Sequence, residues 1–316
     1  MRAMVITRFG GSDVFEHQEI ERPALGPGDV LVRVIASGTN PVDAKVRQAG
    51  SWAQILFPAV LGYDVSGVIE ALGPGVAEFK VGDEVFYTPE IFANRHGSYA
   101  EYTIASASIV APKPVNLSHV EAAGIPLAGG TAWEAIVRRL NVRPGETVLI
   151  HGGAGGVGSF AIQFAKAAGA RVIATSSKVN HSAMQELGAD VAVDYRGSDV
   201  AERILGATSG HGVDASFDTA GGNVSLSTLV TRPFGRIATI LPPDGDLSAL
   251  YTKNQTLFGT FLTREGARLR EMTPVFERGQ AKVVIDTVLR LEEVGKAHER
   301  LDSGHGRGKV FLQVEQ

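Results

Sequence analysis

The stretch His151-Gly152-Gly153-Ala154-Gly155-Gly156-Val157-Gly158 holds five glycines in eight residues. Within it Gly153, Gly155 and Gly158 satisfy G-x-G-x-x-G. The apolar run TVLI precedes the loop, and Val157, Phe160, Phe164 and Ala168 follow at helical spacing. A buried strand turning through glycines into a helix is the context in which this pattern binds a dinucleotide. The first glycine permits the tight turn, the second lets backbone approach a diphosphate, and the third lets the helix pack on the strand. The helix N-terminus adds free N–H groups and partial positive charge. Gly153, Gly155, Gly156, Val157 and Gly158 are therefore the expected diphosphate cradle.

About 20 residues further on, an NAD site would carry an acidic side chain for the ribose hydroxyls. Here the chain reads Ala174-Thr175-Ser176-Ser177-Lys178, with no carboxylate. Hydroxyls and an ammonium can hold a 2′-phosphate that a carboxylate would repel, so NADP(H) is the expected cofactor. Thr175, Ser176 and Lys178 are the candidates, although a lysine at that place also fits a solvated surface.

These residues need a frame. From Glu146 onward, strand-like runs begin near Thr147, Arg171, Val191, Val213, Gly235 and Thr256, with helix-like segments between them that end at Gly169 and Gly188. Alternating strands and crossover helices imply a six-stranded parallel sheet covered on both faces. Before residue 120 the pattern is mostly β: VLVRVIASG (30–38), LGYDVSGVIEALG (61–73) and VGDEVFY (81–87). After Phe261 a helical segment and two strand-like runs close the chain. We expect this tail to return to the N-terminal portion, giving one domain of 1–122 completed by 263–316 and a nucleotide-binding domain of 123–262.

The bulk composition narrows the function. At 316 residues the chain has room for about two domains. Thirty Lys and Arg against 34 Asp and Glu give a net charge of −4, with no basic stripe, so neither nucleic acid nor an anionic membrane is an expected partner. Residues 147–165 lack permanent charge, yet their glycines argue against a spanning helix. The opening MRAMVITRFGGSD has no apolar stretch of secretory length, and a cytoplasmic location is expected. There is no cysteine, hence neither disulfides nor thiolate metal ligands. No two of the eight histidines share the helical spacing of a metal site. His119 and His298 are expected at the surface or capping helices.

Taken together, IHGGAGGVGSFAIQFAKAAGARVIAT, AAGIPLAGGTAWEAI, LGADVAVDYR, FDTAGG, ASGTNPVDAKVRQAG, GDEVFY and the closing GKVFL resemble the quinone oxidoreductase branch of the medium-chain dehydrogenase/reductase superfamily. The resemblance runs nearly end to end. It implies an α/β protein in which a GroES-like, mostly β catalytic domain is joined to a Rossmann-type, doubly wound parallel six-stranded sheet, with the nicotinamide meeting substrate in a cleft between them. It further implies Asn40 and Thr131 near the nicotinamide, Ser176, Lys178 and Tyr195 around the 2′-phosphate, and Leu241 and Phe261 at the edge of the ring pocket. Tyr195 also fits, as the lesser alternative, a strand-end tyrosine packed on its neighbours. A homodimer through the edge strand TLFGTFL is also implied.

The departures from the family bear on chemistry. Zinc-dependent relatives have a cysteine at Asn40, Gly-His-Glu at Gly62-Tyr63-Asp64 and a four-cysteine lobe absent here. Asn40 and Tyr63 are poor zinc ligands, so no metal is expected. Many quinone and enoyl reductases carry a tyrosine where AGSWAQ places Trp52, whose indole is no useful acid. Asn40 could hydrogen-bond a developing oxyanion or stabilise its own turn before Pro41. Tyr63 is a candidate proton donor, Asp43 fits a helix cap, and Asp64 a structural ion pair.

Without a metal to polarise it, the hydride acceptor must already be electrophilic: a quinone or α,β-unsaturated carbonyl. Two alternatives stay open. An enoyl-thioester reductase would need a cationic patch, for which Arg47 and Arg95 are available, and a non-catalytic NADPH-binding protein would need no acceptor at all.

Overall fold

Apolar strands and crossover helices after Glu146 build one of two compact units, Gly129–Leu262 with Arg278–Lys282; the other comprises Met1–Ala128, Thr263–Glu277 and Val283–Gln316. The computed structural model describes residues 1–304 and 306–314. The chain passes from the first unit to the second inside the helix Pro126–Trp133, later than the boundary at residue 122 that the sequence suggests.

In the nucleotide-binding unit six strands, β1 (Thr147–His151), β2 (Arg171–Ser176), β3 (Val191–Asp194), β4 (Val213–Asp218), β5 (Thr231–Thr239) and β6 (Thr256–Gly259), pair in the order β3-β2-β1-β4-β5-β6. Every pairing is parallel. This is the doubly wound dinucleotide-binding order, whose direction of winding reverses between β1 and β4. β1 is central, and Val148, Leu149 and Ile150 are fully buried because helices cover both faces. Leu149, Ile173, Val193, Val200, Ile204, Val213 and Val230 form a continuous apolar core.

The helix Gly156–Ala167, α1, buries Phe160 and Phe164, and Phe164 meets Trp133 edge to face at 5.2 Å. Its C-terminus is closed by Gly169 at φ +82°, and the helix His181–Glu186 is followed by Gly188 at φ +106°. Both lie in the left-handed region, where a glycine has no side chain to strain.

The other unit is built on a seven-stranded sheet. Its backbone path runs Ile285–Arg290, Lys309–Gln313, Asp29–Gly38, Val65–Leu72, Glu84–Tyr87 and Ala111–Pro112, with Tyr102–Ser106 also paired to Asp29–Gly38. The strand Lys309–Gln313 lies antiparallel to Asp29–Gly38, with Phe311 opposite Gly38. That pairing brings Lys309 beside the segment that follows Gly38. A small sheet of Phe15–Glu19, Arg2–Ile6 and Ala59–Val60 completes the unit. No helix among the described residues is long and apolar enough to cross a membrane.

Candidate active site

The carboxyl ends of the six parallel strands carry most of the residues expected to hold the cofactor. The positive-φ turn after β1 falls on Gly152 (φ +70°), not on Gly153. β1 extends through His151, so the chain must reverse one residue earlier than the motif reading placed it. Gly153 has another reason to lack a side chain: a Cβ there would lie 2.7 Å from Met184 Sδ and 3.0 Å from Ala174 Cβ. Gly155 is the N-cap of α1, and a Cβ on it would meet only Gly152 O, at 3.4 Å. A Cβ on Gly158 would stand 2.2 Å from that same oxygen, so this glycine lets helix and strand approach. Gly155 thus leaves the N-terminus of α1 unobstructed, with first-turn N–H groups that have no intrahelical acceptor. This arrangement fits an anionic diphosphate.

The loop is fastened from behind. Thr175 Oγ1 accepts the Gly152 N–H at 3.4 Å and lies 3.4 Å from Nδ1 of His151. Thr175 is buried, so its hydroxyl braces the loop. His151, fully enclosed and 3.1 Å from Ser227 Oγ, is held neutral: burial lowers its pKa to about 4. Ser176 is also buried, and its hydroxyl donates to the Ser177 carbonyl at 2.9 Å. Lys178 is exposed, with no partner among the described residues. Tyr195 is 53% exposed. The parallel register places Ser176 beside Asp194, and the Tyr195 N–H bonds to the Ser176 carbonyl at 3.3 Å, so Lys178 and Tyr195 leave adjoining strand ends. Sequence reasoning passed over Arg196, whose guanidinium lies 5.7 Å from the Tyr195 ring centroid; its place directly after the tyrosine was the available signal.

Leu241, half-buried, follows β5 and crowds the Gly221 turn after β4, where a Cβ would come within 2.6 Å of Leu241 Cδ1. Asp218 supports that turn by accepting from the backbone N–H groups of Ala220, Gly221 and Asn223 at 2.9–3.0 Å. Phe261 lies beyond β6 and is 63% exposed. Thr131 is buried in the helix Pro126–Trp133.

In the other unit, Asn40 caps the helix Pro41–Ala49, and its N–H donates to Asp43 Oδ2 at 2.9 Å. Its side chain does something else. Asn40 Nδ2 donates to Asp64 Oδ2 at 2.9 Å, and Asn40 Oδ1 accepts from Lys309 Nζ at 2.6 Å. Lys309 Nζ also reaches Asp64 Oδ2 and the Thr39 carbonyl, each at 3.0 Å. Asp64 Oδ1 takes the Leu127 N–H at 2.7 Å. Asn40, Asp64 and Lys309 are all at least 95% buried. Burial pushes the Asp64 pKa up while the adjacent ammonium and amide pull it back.

Asp43 Oδ2 also accepts from Tyr99 Oη at 2.7 Å, and Tyr99 lies 3.2 Å from His298 Nε2. Desolvation raises Asp43 to about 7 and lowers His298 to about 3. His298 is therefore a core residue against Phe15 and Tyr99, neither at the surface nor capping a helix. Tyr63 is 1% exposed, its Oη has no hydrogen-bond partner among the described residues, and burial raises its pKa. Trp52 lies in the turn Gly50–Ala53, 46% exposed and edge-on to Phe92 at 6.0 Å. Arg47, considered above for a cationic patch, is fully buried, and its Nη2 donates to both carboxylate oxygens of Asp302, at 2.7 and 3.0 Å. Only Arg95 of that pair is exposed.

A zinc ion does not fit these residues. Asn40 Oδ1 and Asp64 Oδ2 already accept from the chain's own ammonium and Asp64 Oδ1 from the Leu127 N–H, Tyr63 offers a protonated phenol, and the sequence has no cysteine. Among the described residues no group of three or more His, Cys, Asp or Glu could hold a metal.

Two families match the chain: residues 26–115 match the alcohol dehydrogenase GroES-like domain, and residues 187–312 the family described as zinc-binding dehydrogenase. An NADPH-dependent alkenal/one oxidoreductase of Arabidopsis thaliana chloroplasts is 34% identical over 99% of this chain and 79% of its own length. Among solved structures, a quinone oxidoreductase from Coxiella burnetii superposes with TM-score 0.88 at 32% identity, covering 100% of this chain and 99% of its own. An NAD-dependent alcohol dehydrogenase superposes with TM-score 0.93 at 34% identity, covering 100% of both. The chain belongs to the medium-chain dehydrogenase/reductase superfamily, in its zinc-free quinone oxidoreductase branch. It is an oxidoreductase of the nicotinamide-dependent kind.

Proposed function

We propose that this protein is an NADPH-dependent reductase that delivers hydride to a quinone or α,β-unsaturated carbonyl without a metal ion. The observation that carries this reading is the Lys309 ammonium, which engages Asn40 and Asp64 at positions where zinc-dependent relatives place metal ligands. With those atoms engaged, the acceptor must be electrophilic in its own right.

When bound, the nicotinamide supplies the hydride. Gly155, Gly156, Val157 and Gly158 hold its diphosphate at the α1 N-terminus. Lys178 and Tyr195 leave adjacent strand ends and face the 2′-phosphate, Lys178 with an unengaged ammonium and Tyr195 with its phenol. In the same unit, Leu241, Phe261 and Thr131 are the residues proposed to border the ring. The protein's main contribution is to hold donor and acceptor close in a dry site, with water protonating the product anion. The quinone and alkenal/one reductases among its relatives support this acceptor class. Burial of Arg47 removes half of the cationic patch that a thioester carrier would need.

The test is NADPH oxidation with phenanthrenequinone, benzoquinone, an alkyl enone and crotonyl-CoA. Turnover with the first three is the expected result; tight NADPH binding with no turnover of any acceptor would instead indicate a non-catalytic role. The protein is further proposed to be cytoplasmic and homodimeric through the edge strand β6, whose outer backbone groups pair with no other strand among the described residues. Light scattering that detects only monomer at micromolar concentration would remove the dimer.

A further inference from the structure

β1 ends on a histidine at a position where burial alone would favour an apolar side chain. Val148, Leu149 and Ile150 before it are apolar and fully buried, and His151, 1% exposed, lies between β2 and β4 with Asp218 opposite. A polar ring enclosed there costs free energy unless its nitrogens find partners. They find two buried hydroxyls: Nδ1 lies 3.4 Å from Thr175 Oγ1, and Nε2 lies 3.1 Å from Ser227 Oγ. A neutral imidazole has one N–H and one bare nitrogen, so either tautomer completes this chain. The chain leads to the glycine loop. Thr175 Oγ1 accepts the Gly152 N–H at 3.4 Å, and the Gly152 carbonyl accepts the N–H of Gly155, the N-cap of α1, at 3.0 Å. From the β4 side, Thr219 Oγ1 donates to the His151 carbonyl at 2.6 Å. The whole path from Ser227 through His151, Thr175 and Gly152 to Gly155 lies within the nucleotide-binding unit.

We propose that His151 is a positioning residue for the cofactor: through the Thr175 hydroxyl it holds the Gly152 turn, and with it the cap of α1, in the form that receives the diphosphate. This rests on the diphosphate cradle of the function proposed above. A loop already fixed in its binding form loses little freedom when the nucleotide arrives, so the imidazole contributes affinity without touching the ligand.

The test compares wild type, His151→Asn, His151→Gln, His151→Leu, Thr175→Val and the His151→Leu/Thr175→Val double variant as full-length proteins. Titration calorimetry measures the affinity for NADPH and for 2′-AMP, which carries the 2′-phosphate but no diphosphate, and urea unfolding measures stability. An asparagine amide reaches only as far as Nδ1 and keeps a partner for Thr175, whereas a glutamine amide reaches Nε2 and keeps the partner for Ser227. His151→Leu and Thr175→Val are expected to weaken NADPH binding about three- to tenfold, the scale of one ordinary hydrogen bond, and to leave 2′-AMP binding unchanged. His151→Asn should bind NADPH as wild type does and His151→Gln as weakly as His151→Leu, whatever the order of their stabilities. The double variant should bind no more weakly than Thr175→Val alone. NADPH losses that follow stability instead of the Thr175 contact, equal losses for 2′-AMP, or additive losses in the double variant would overturn the positioning role. Should the His151 variants not fold, Thr175→Val, which keeps the shape of the side chain, decides the question: wild-type NADPH affinity in it would overturn the proposal. Wild-type protein that binds NADPH no more tightly than 2′-AMP would refute the diphosphate cradle itself, a result separate from the pattern among the variants.

Discussion

Gly155 and Gly158 stand three residues apart in one loop, and the structure assigns them opposite consequences on substitution by alanine. At Gly158 the new Cβ would lie 2.2 Å from Gly152 O, 2.8 Å from the Gly152 carbonyl carbon and 2.8 Å from Gly153 Cα. These neighbours are backbone in the turn between β1 and α1, and they can move only by separating helix from strand. Overpacking of this kind costs about 1–3 kcal/mol, and the rigid backbone places Gly158→Ala toward the upper end. The melting temperature should fall by roughly 5–10 °C at about 2–4 °C per kcal/mol. At Gly155 the Cβ would touch only Gly152 O at 3.4 Å, an ordinary contact, and φ is −75°, which alanine adopts freely. Loss of a glycine N-cap costs a few tenths of a kcal/mol to about 1, offset by about 0.4–1 kcal/mol from a stiffer unfolded chain. Gly155→Ala should therefore melt near wild type while losing at least about tenfold in NADPH affinity, or about 1.4 kcal/mol, because its methyl group projects where the diphosphate is proposed to sit. Differential scanning fluorimetry and isothermal titration calorimetry on the two variants read these effects separately. Wild-type NADPH affinity in Gly155→Ala, or wild-type stability in Gly158→Ala, would show that the glycine loop has been misread.

Other predictions follow from the same geometry. Lys178→Ala should weaken NADPH by about 10- to 100-fold, the scale of one hydrogen bond to a charged group, and leave NADH nearly unchanged; equal losses in paired titrations would remove the 2′-phosphate site from that strand end. Asp302→Ala strands the fully buried Arg47 guanidinium and should cost about 2–4 kcal/mol in urea unfolding, the upper part of which is the range for a broken buried pair; a loss under about 0.5 kcal/mol would mean that solvent reaches Arg47. The Asp43–Tyr99–His298 cluster should show opposed pH dependences. His298, lowered to about 3, takes up its proton in the unfolded chain first, so it removes stability as pH falls from about 6.5 toward 3. Asp43, raised to about 7, takes up its proton in the folded chain first, so it adds stability as pH falls from about 7 toward 4. Each contributes up to about 1.4 kcal/mol per pH unit, and wild-type stability should be nearly flat with respect to this cluster between pH 7 and 4. His298→Gln should unmask the Asp43 slope and gain stability relative to wild type on acidification; parallel pH profiles for the two proteins would refute the opposition.

The parts of this molecule that were legible in the sequence are those written in local pattern. The six parallel strands announced themselves because each βα unit repeats the same apolar strand, helix and glycine stop, and Gly169 and Gly188 end their helices as read. The helix after Asn40 was signalled by Asn, Pro and Asp in order, and Asp43 does accept the Asn40 N–H. Where adjacent residues compete for one role, pattern gave less: Gly152 and Gly153 both suit a turn, and the choice depends on β1 continuing through His151. Contacts between distant segments were legible only in kind: the tail was expected to rejoin the N-terminal portion and Asp64 to form an ion pair, as both do, but the partner residues were not. Lys309 lies 245 residues from Asp64 and 269 from Asn40, and nothing near the closing strand marks that lysine as a partner for either. Arg47 and His298 were misplaced for the same reason. Both are buried in the unit to which the C-terminal helix Val294–Asp302 belongs, and burial made in that way has no local signature.

The central claim is that hydride transfer here needs a nicotinamide and an electrophilic acceptor but no metal. Its most direct test is the NADPH-dependent reduction of phenanthrenequinone by protein dialysed against a strong chelator, with zinc measured in the same sample. The account predicts an undiminished rate with far less than one zinc per chain. A rate that disappears on chelation and returns in proportion to added zinc would contradict it.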